Sequence, residues 1–176
     1  MATAVQVARH LEQHGLSGET QLQKLVYYCQ AWALTWTGRP LFDEDIQAWE
    51  GGPVTPSVWR ARKAGQDLAT PPLDDDEAAI VDAVHAFYGR IGGRRLSDLT
   101  HAEAPWKDTW ADGRGKNRVI EHSAIRREYT EKALLDPQAV PRAPTLAVEV
   151  DAADVLAAGD DERRRWRSLL DRLAQQ

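Results

Sequence analysis

The chain has 176 residues, of which 43% are hydrophobic and 28% are charged, and its formal net charge is −5 at pH 7. This length and composition are typical of one globular domain with or without a tail. The acidic balance argues against a dedicated nucleic-acid binder, and the single cysteine, Cys29, excludes an internal disulfide and an all-cysteine metal site. The sequence shows no secretory leader and no apolar run long enough to span a bilayer, so we expect a cytoplasmic protein.

Apolar residues recur at helical spacing in the first part of the chain. The segment from Thr3 to His14 predicts a short helix that ends at Gly15. Thr20 and Gln23 are spaced as a capping box for a second helix, which Gly38 ends. The apolar face of this second helix comprises Leu22, Leu25, Val26, Cys29, Ala33 and Trp36. Further aromatic residues widen that face, which predicts a central helix packed on more than one side.

A stretch rich in glycine and proline, Gly38 to Trp59, separates the helical parts. Apolar and polar residues alternate from Asp45 to Trp49, as in a short half-buried strand. Gly51-Gly52-Pro53 predicts a sharp turn, because glycine permits positive φ and proline cannot donate a hydrogen bond. Thr55 is placed to cap a helix that begins at Pro56. We therefore expect a strand, a turn and a helix in succession.

More helices are predicted beyond this junction. Acidic residues from Asp74 to Glu77 favour the start of a helix, whose inward face is expected to comprise Ile80, Val81, Val84, Phe87 and Tyr88. A short helix is predicted from Leu96 to His101, with Ser97 as its cap and Ala104-Pro105 as its stop. Another helix is predicted from Ser123 to about Leu135.

The composition changes after residue 136, which we take as the end of the main domain. Three prolines space a linker, and the alternation from Leu146 to Val150 predicts an edge strand. Asp151 to Leu173 then predicts a terminal helix. The expected fold is mainly α: a compact helical domain over residues 1–136 with one small β element, and a C-terminal extension over residues 137–176.

Two blocks of sequence resemble the signatures of one family. The first is Gly38-Arg39-Pro40-Leu41-Phe42, followed by Ala48-Trp49, Gly52-Pro53-Val54 and a short helix with Trp59. The second runs from Leu96 through Thr100-His101 and Glu103 to Pro105-Trp106. Over about residues 18–135 the chain resembles the Panacea domain, the SocA-like antitoxin family of bacterial toxin–antitoxin systems. The resemblance implies that these residues hold the fold or a shared binding face: Trp49, Gly52, Pro53, Val54, Thr100, His101, Glu103, Pro105 and Trp106.

The resemblance also implies a function. Proteins of this family are antitoxins, so the chain is expected to bind and silence a cognate protein toxin encoded nearby, without catalysis and without a cofactor. A toxin–antitoxin hetero-oligomer and a homo-oligomer both stay open, and we expect no nucleic-acid or membrane partner. Two alternatives are a proteolytic adaptor that delivers the toxin to an ATP-dependent protease, and a metal-dependent hydrolase or nucleic-acid-binding regulator. The candidate for nucleic-acid binding is the basic run from Arg163 to Arg167, but it follows acidic residues that balance its charge.

The residues themselves give little support to catalysis. His101-x-Glu103 is similar to the His-x-Glu of zinc deaminases, but the chain lacks the cysteine pair that completes such a site. A mixed metal site from His101, Glu103, Asp108 and His122 is geometrically conceivable. We expect no i, i+4 histidine pair or other compact ligand spacing in the chain to support it. There is no nucleophile elbow and no phosphate loop. We therefore expect no catalytic residue and no metal site.

The seven tryptophans suggest where a partner binds. Trp49 and Trp106 lie inside the two signature blocks, and we predict that both belong to the core. Trp59 and Trp110 are predicted at helix edges beside charged residues, where tryptophan and arginine anchor interfaces. The predicted partner-binding face comprises Arg39, Trp59, Arg60 and Trp110. Plain half-buried packing of the two tryptophans is the open alternative.

Overall fold

The computed structural model describes residues 1–16, 18–65 and 70–147 of the chain. In these residues the elements are α1 (Ala4–Gln13), α2 (Glu19–Thr37), β1 (Gln47–Trp49), β2 (Gly52–Val54), α3 (Pro56–Lys63), α4 (Asp75–Tyr88), α5 (Gly93–Ala102), α6 (Ala104–Trp110) and α7 (His122–Leu135). This confirms the mainly α class. Met1–Thr145 form one compact unit. The terminal helix and most of the edge strand predicted for the tail lie outside the described residues.

Helix α2 is the centre of this unit. Every residue from Leu22 to Leu34 is buried, and α2 contacts α1, α4, α5 and α7, so the predicted central helix is confirmed. The predicted capping box was wrong: Gly18 is the N-cap and no side chain caps the helix. The Gln23 amide oxygen instead accepts a hydrogen bond from the Thr55 backbone N–H at 2.9 Å. Gly38, at φ 73°, ends α2 as predicted.

The junction after α2 is a β-hairpin. Strands β1 and β2 pair antiparallel, with Ala48 opposite Pro53 and Trp49 opposite Gly52. The predicted strand is therefore followed by a second strand, and the residues expected to form the turn, Gly52 and Pro53, belong to it. Residues 117–120 cover the other edge of β1, where the Ala48 N–H donates to the Arg118 carbonyl at 2.9 Å. Proline is tolerated in β2 because that strand pairs on one side only.

Three predictions for the second half of the unit were wrong. Phe87 was expected inside, but it is 39% exposed. Helix α5 begins at Gly93, so Ser97 lies within it and does not cap it. Pro105 was expected to end α5, but it lies in the first turn of the next helix, α6. Proline is tolerated there because the first backbone N–H groups of a helix have no partner within it. None of the described helices is both long and apolar enough to cross a membrane.

Candidate partner-binding surface

The hairpin lies on a buried lysine. Lys24 of α2 is 1% exposed, and its Nζ donates to the Pro53 carbonyl at 2.9 Å. Removal of this ammonium from water lowers the pKa of Lys24 to about 8. Lys24 and the neighbouring Gln23 therefore attach both β2 and the residue after it to the central helix.

Gly52 fits a space that no other residue could occupy without adjustment. Its φ is +105°, and an added Cβ would lie 2.8 Å from the Lys24 Nζ and 2.9 Å from the Thr100 Oγ1. The Thr100 hydroxyl donates to the Ser97 carbonyl at 2.9 Å. The signature residues Gly52, Pro53 and Thr100 thus pack around one lysine, which accounts for their place in the fold.

A row of stacked rings supports the hairpin from the other side. The Trp106 Nε1 donates to the Trp49 carbonyl at 2.9 Å. The His101 ring stacks on Trp106 at 4.0 Å between centroids, and Trp110 stacks on Trp106 at 5.6 Å. Trp106 is 7% exposed, as expected of a core residue, and Pro105 beside it is also buried. The core assignment was wrong for Trp49, which is half-buried because it lines a groove.

That groove, which we call the hairpin groove, has a volume of about 450 Å³. It is lined by the first turns of α2, the hairpin, α3 and α5, with Lys24 and Val54 among the lining residues. The rings of Trp49 and Trp59 meet edge to face in it, 5.6 Å apart between centroids. The Lys63 ammonium lies 4.6 Å from the centre of the Trp59 ring. Two half-buried tryptophans, one on the hairpin and one on α3, therefore pack against each other in the groove.

The structure separates the residues of the predicted partner-binding face. Trp59 lines the groove, and Arg60 follows it on α3 with an exposed side chain. Trp110 belongs to the ring stack on the other side of the hairpin. Arg39 lies just beyond the C-terminal end of α2, whereas the groove includes residues of its first turns. The length of α2, about 28 Å at 1.5 Å per residue, separates these two ends.

Glu103 lies in a different environment from the neighbouring His101. The residue is 7% exposed, and its carboxylate accepts hydrogen bonds from the Tyr129 hydroxyl and the Lys132 ammonium, each at 2.7 Å. Burial raises the pKa of Glu103, and the Lys132 charge partly opposes that rise. The Tyr28 hydroxyl is a weaker third donor at 3.4 Å. This carboxylate is therefore part of the packing between α2, α6 and α7.

The mixed metal site considered from the sequence is not assembled in the described part of the chain. Glu103 is occupied by α7, and His101 stacks on Trp106 with its pKa lowered, chiefly by burial. The His122 Nε2 lies 3.0 Å from the Gln30 amide nitrogen, to which it is hydrogen-bonded. Asp108 is exposed. In the described ranges one group of residues does meet as metal ligands could, and it lies between α1 and α4.

Sequence reasoning missed three polar residues of α2 that hold the signature segments. Gln23 and Lys24 bind the hairpin, and Gln30 binds the Gly-Arg-Pro-Leu-Phe segment through the Leu41 N–H at 2.8 Å and the Phe42 carbonyl at 2.8 Å. The available signal was the presence of polar residues on the face of a helix that is otherwise apolar. A buried polar side chain needs a partner, so each of them indicates a contact with another segment.

The matches to known proteins cover this part of the fold. Residues 22–107 match the family described as antitoxin SocA-like, Panacea domain. Antitoxin SocA from Caulobacter vibrioides (strain NA1000 / CB15N) is 31% identical over an alignment of 115 residues, and the alignment covers 54% of this chain and 61% of the relative. The aligned region thus spans less than two thirds of that relative's length. No solved structure matches the chain. The family match includes the hairpin, most of the groove and most of the ring stack.

Proposed function

Residues 22–107 form a Panacea domain of the SocA-like antitoxin family, and on that premise we propose that the protein is an antitoxin that binds its cognate toxin directly, through the hairpin groove. The observation that carries this proposal is the pair of half-buried tryptophans, Trp49 and Trp59, fixed edge to face in the groove. Tryptophan and arginine are enriched at the centres of protein interfaces, where a few residues supply most of the binding energy.

The groove is suited to binding because its walls are already held in place. Lys24 fixes β2 from below, and the Trp106 indole fixes the carbonyl of Trp49. The Ser97 hydroxyl donates to the Gly51 carbonyl at the hairpin turn at 2.7 Å. A surface that is rigid before binding loses little conformational entropy when its partner arrives. These contacts support a role for the signature residues in shaping the face, while Trp59 and its neighbours contact the toxin.

The charges at the rim indicate what kind of segment would fit. Arg94 and Lys63 are basic, and Glu19 and Asp98 are acidic. Rim charges of both signs favour specificity and orientation more than affinity. We therefore propose that the toxin packs an apolar side chain against the two tryptophans, with polar residues on either side of it.

The proposal is tested by copurification of the full chain with the protein encoded beside it. Trp59→Ala is expected to weaken the complex about 30-fold or more, the effect of removing a residue that supplies about 2 kcal/mol of binding energy. Trp36→Ala is the matched control, because Trp36 is also half-buried but stacks on Trp32, outside the groove. Its affinity should stay within about threefold of wild type.

Three outcomes contradict parts of the proposal. Equal binding by the Trp59→Ala variant, shown by circular dichroism to be folded, would remove the groove from the interface. A toxin that never copurifies with the wild-type chain would contradict direct binding. A toxin whose half-life shortens when this chain is present would favour the proteolytic adaptor.

A further inference from the structure

Two histidines and one aspartate meet between α1 and α4, away from the hairpin. His10 and His14 lie one helical turn apart at the end of α1, so the expectation that the chain has no i, i+4 histidine pair was wrong. The Nε2 of His10 lies 2.8 Å from the Asp82 Oδ1, and the Nε2 of His14 lies 3.0 Å from the same oxygen. One ligand atom from each residue lies within 4.8 Å of the other two.

These three atoms are of the kinds that bind a transition-metal ion. Two imidazole nitrogens and a carboxylate oxygen are the donors that Zn²⁺ prefers, and two histidines four residues apart on a helix can bind one ion from the same face. Ligand atoms of a tetrahedral zinc site lie about 3.3 Å apart when the bonds are about 2.0 to 2.2 Å long. The two nitrogen–oxygen distances here are a few tenths of an ångström shorter. A small outward rotation of exposed side chains would therefore admit an ion.

Hydrogen bonds between these exposed side chains contribute little to stability, so they explain the arrangement poorly. The side chains of His10, His14 and Asp82 are 21%, 34% and 52% exposed. Contacts between groups this accessible to water add little to stability, because each group can bind water instead. The same exposure leaves one side of the cluster open, where water can occupy a further coordination position.

A neighbouring ring restrains one of the ligands. The His85 ring stacks on His14, with 4.2 Å between centroids and 17° between ring planes. His85 follows Asp82 by one turn on α4, so the helix that supplies the carboxylate also restrains a histidine from α1. Orientation of a ligand by neighbouring groups is a regular feature of metal sites.

We propose that His10, His14 and Asp82 form a binding site for Zn²⁺ or a similar transition-metal ion, with water completing the coordination. The ion would link α1, which lies outside the residues that match the family, to α4, which lies within them. A ten-residue helix is marginal alone, so such a link would stabilise its attachment. The proposal is independent of toxin binding.

The test is a zinc titration of the full chain, purified without a polyhistidine tag, by isothermal calorimetry. The wild-type chain is expected to bind one Zn²⁺ with a dissociation constant on the order of 1 µM or below. His14→Gln and Asp82→Asn should each weaken binding at least about tenfold. His122→Gln is the matched control, because it removes a histidine on another helix while keeping a polar group near Gln30, and it should bind zinc like wild type.

A second measurement separates a metal ligand from a residue that only supports the fold. Zinc should raise the melting temperature of the wild-type and His122→Gln chains by clearly more than that of His14→Gln. Mg²⁺, which prefers oxygen ligands, should have no such effect. The proposal is overturned if zinc binds the wild-type chain more weakly than about 1 mM, or if folded His14→Gln and Asp82→Asn variants bind it as tightly as wild type.

Discussion

Gly52 offers the sharpest test of how the hairpin is held. In Gly52→Ala the new Cβ would lie 2.8 Å from the end of the Lys24 side chain, at a φ of +105° that side chains rarely adopt. A backbone conformation of this kind costs about 1 to 3 kcal/mol, and overpacking of a filled site costs about the same. We therefore expect the free energy of unfolding to fall by about 2 to 6 kcal/mol, measured by urea denaturation of the full chain.

Gly51→Ala is the matched control for this experiment. Gly51 is exposed and precedes Gly52 in the same hairpin, but a Cβ added to it would meet nothing within 4 Å. Its substitution should change the free energy of unfolding by less than about 1 kcal/mol. If Gly52→Ala is as stable as Gly51→Ala, the packing of the hairpin on Lys24 does not constrain this glycine and our account of the signature is wrong.

Three further predictions concern stability. Trp106→Ala should cost about 3 to 5 kcal/mol in urea denaturation, whereas Trp110→Ala, at the half-buried end of the same stack, should cost clearly less. Lys24 has a folded-state pKa of about 8, against an ordinary lysine pKa of 10.5, so the unfolded chain binds more protons between these pH values. The free energy of unfolding should therefore rise with pH across that window, by up to about 3 kcal/mol relative to Lys24→Met; parallel pH profiles for the two chains would refute this. Lys132→Met should cost about 1 to 3 kcal/mol because it removes a partner of the buried Glu103 carboxylate. The cost should shrink in a Glu103→Gln background, and a double-mutant cycle without coupling would contradict that reason.

The elements that sequence predicted well are those set by local pattern. Helix α2 shows this. Its apolar residues recur at three- and four-residue steps, and this spacing can be seen in the sequence alone. Gly38 was identified as its end because the left-handed conformation found there, with φ 73°, favours glycine. Asp74 was expected to start α4, and it does, through a capping box with Glu77.

The errors arise where a residue's partner is distant in the sequence. Gln23 was assigned to a local cap, but it lies under the hairpin and binds Thr55. Ser97 was assigned to another cap, but its hydroxyl binds Gly51. In each case a polar side chain had a local partner available by spacing and a tertiary partner that only the folded chain reveals. For Gln23 the tertiary contact prevails because it satisfies groups that folding removes from water.

The proline of α6 and the histidines of α1 show a second kind of error. Pro105 was interpreted as a stop because proline ends helices, although the same residue is favoured in a first turn. The spacing of His10 and His14 was visible in the sequence and was overlooked. Their convergence on Asp82 could not be predicted, since it depends on how α1 packs against α4.

The most direct test of the central claim is a growth assay in which the neighbouring reading frame is expressed alone, with the wild-type chain, and with Trp59→Ala. Our account predicts that the neighbour arrests growth alone, that the wild-type chain restores growth and copurifies with it, and that Trp59→Ala restores growth poorly although it folds. A neighbour that arrests growth equally with and without the wild-type chain, or rescue without a complex in the purified material, would contradict neutralisation by direct binding.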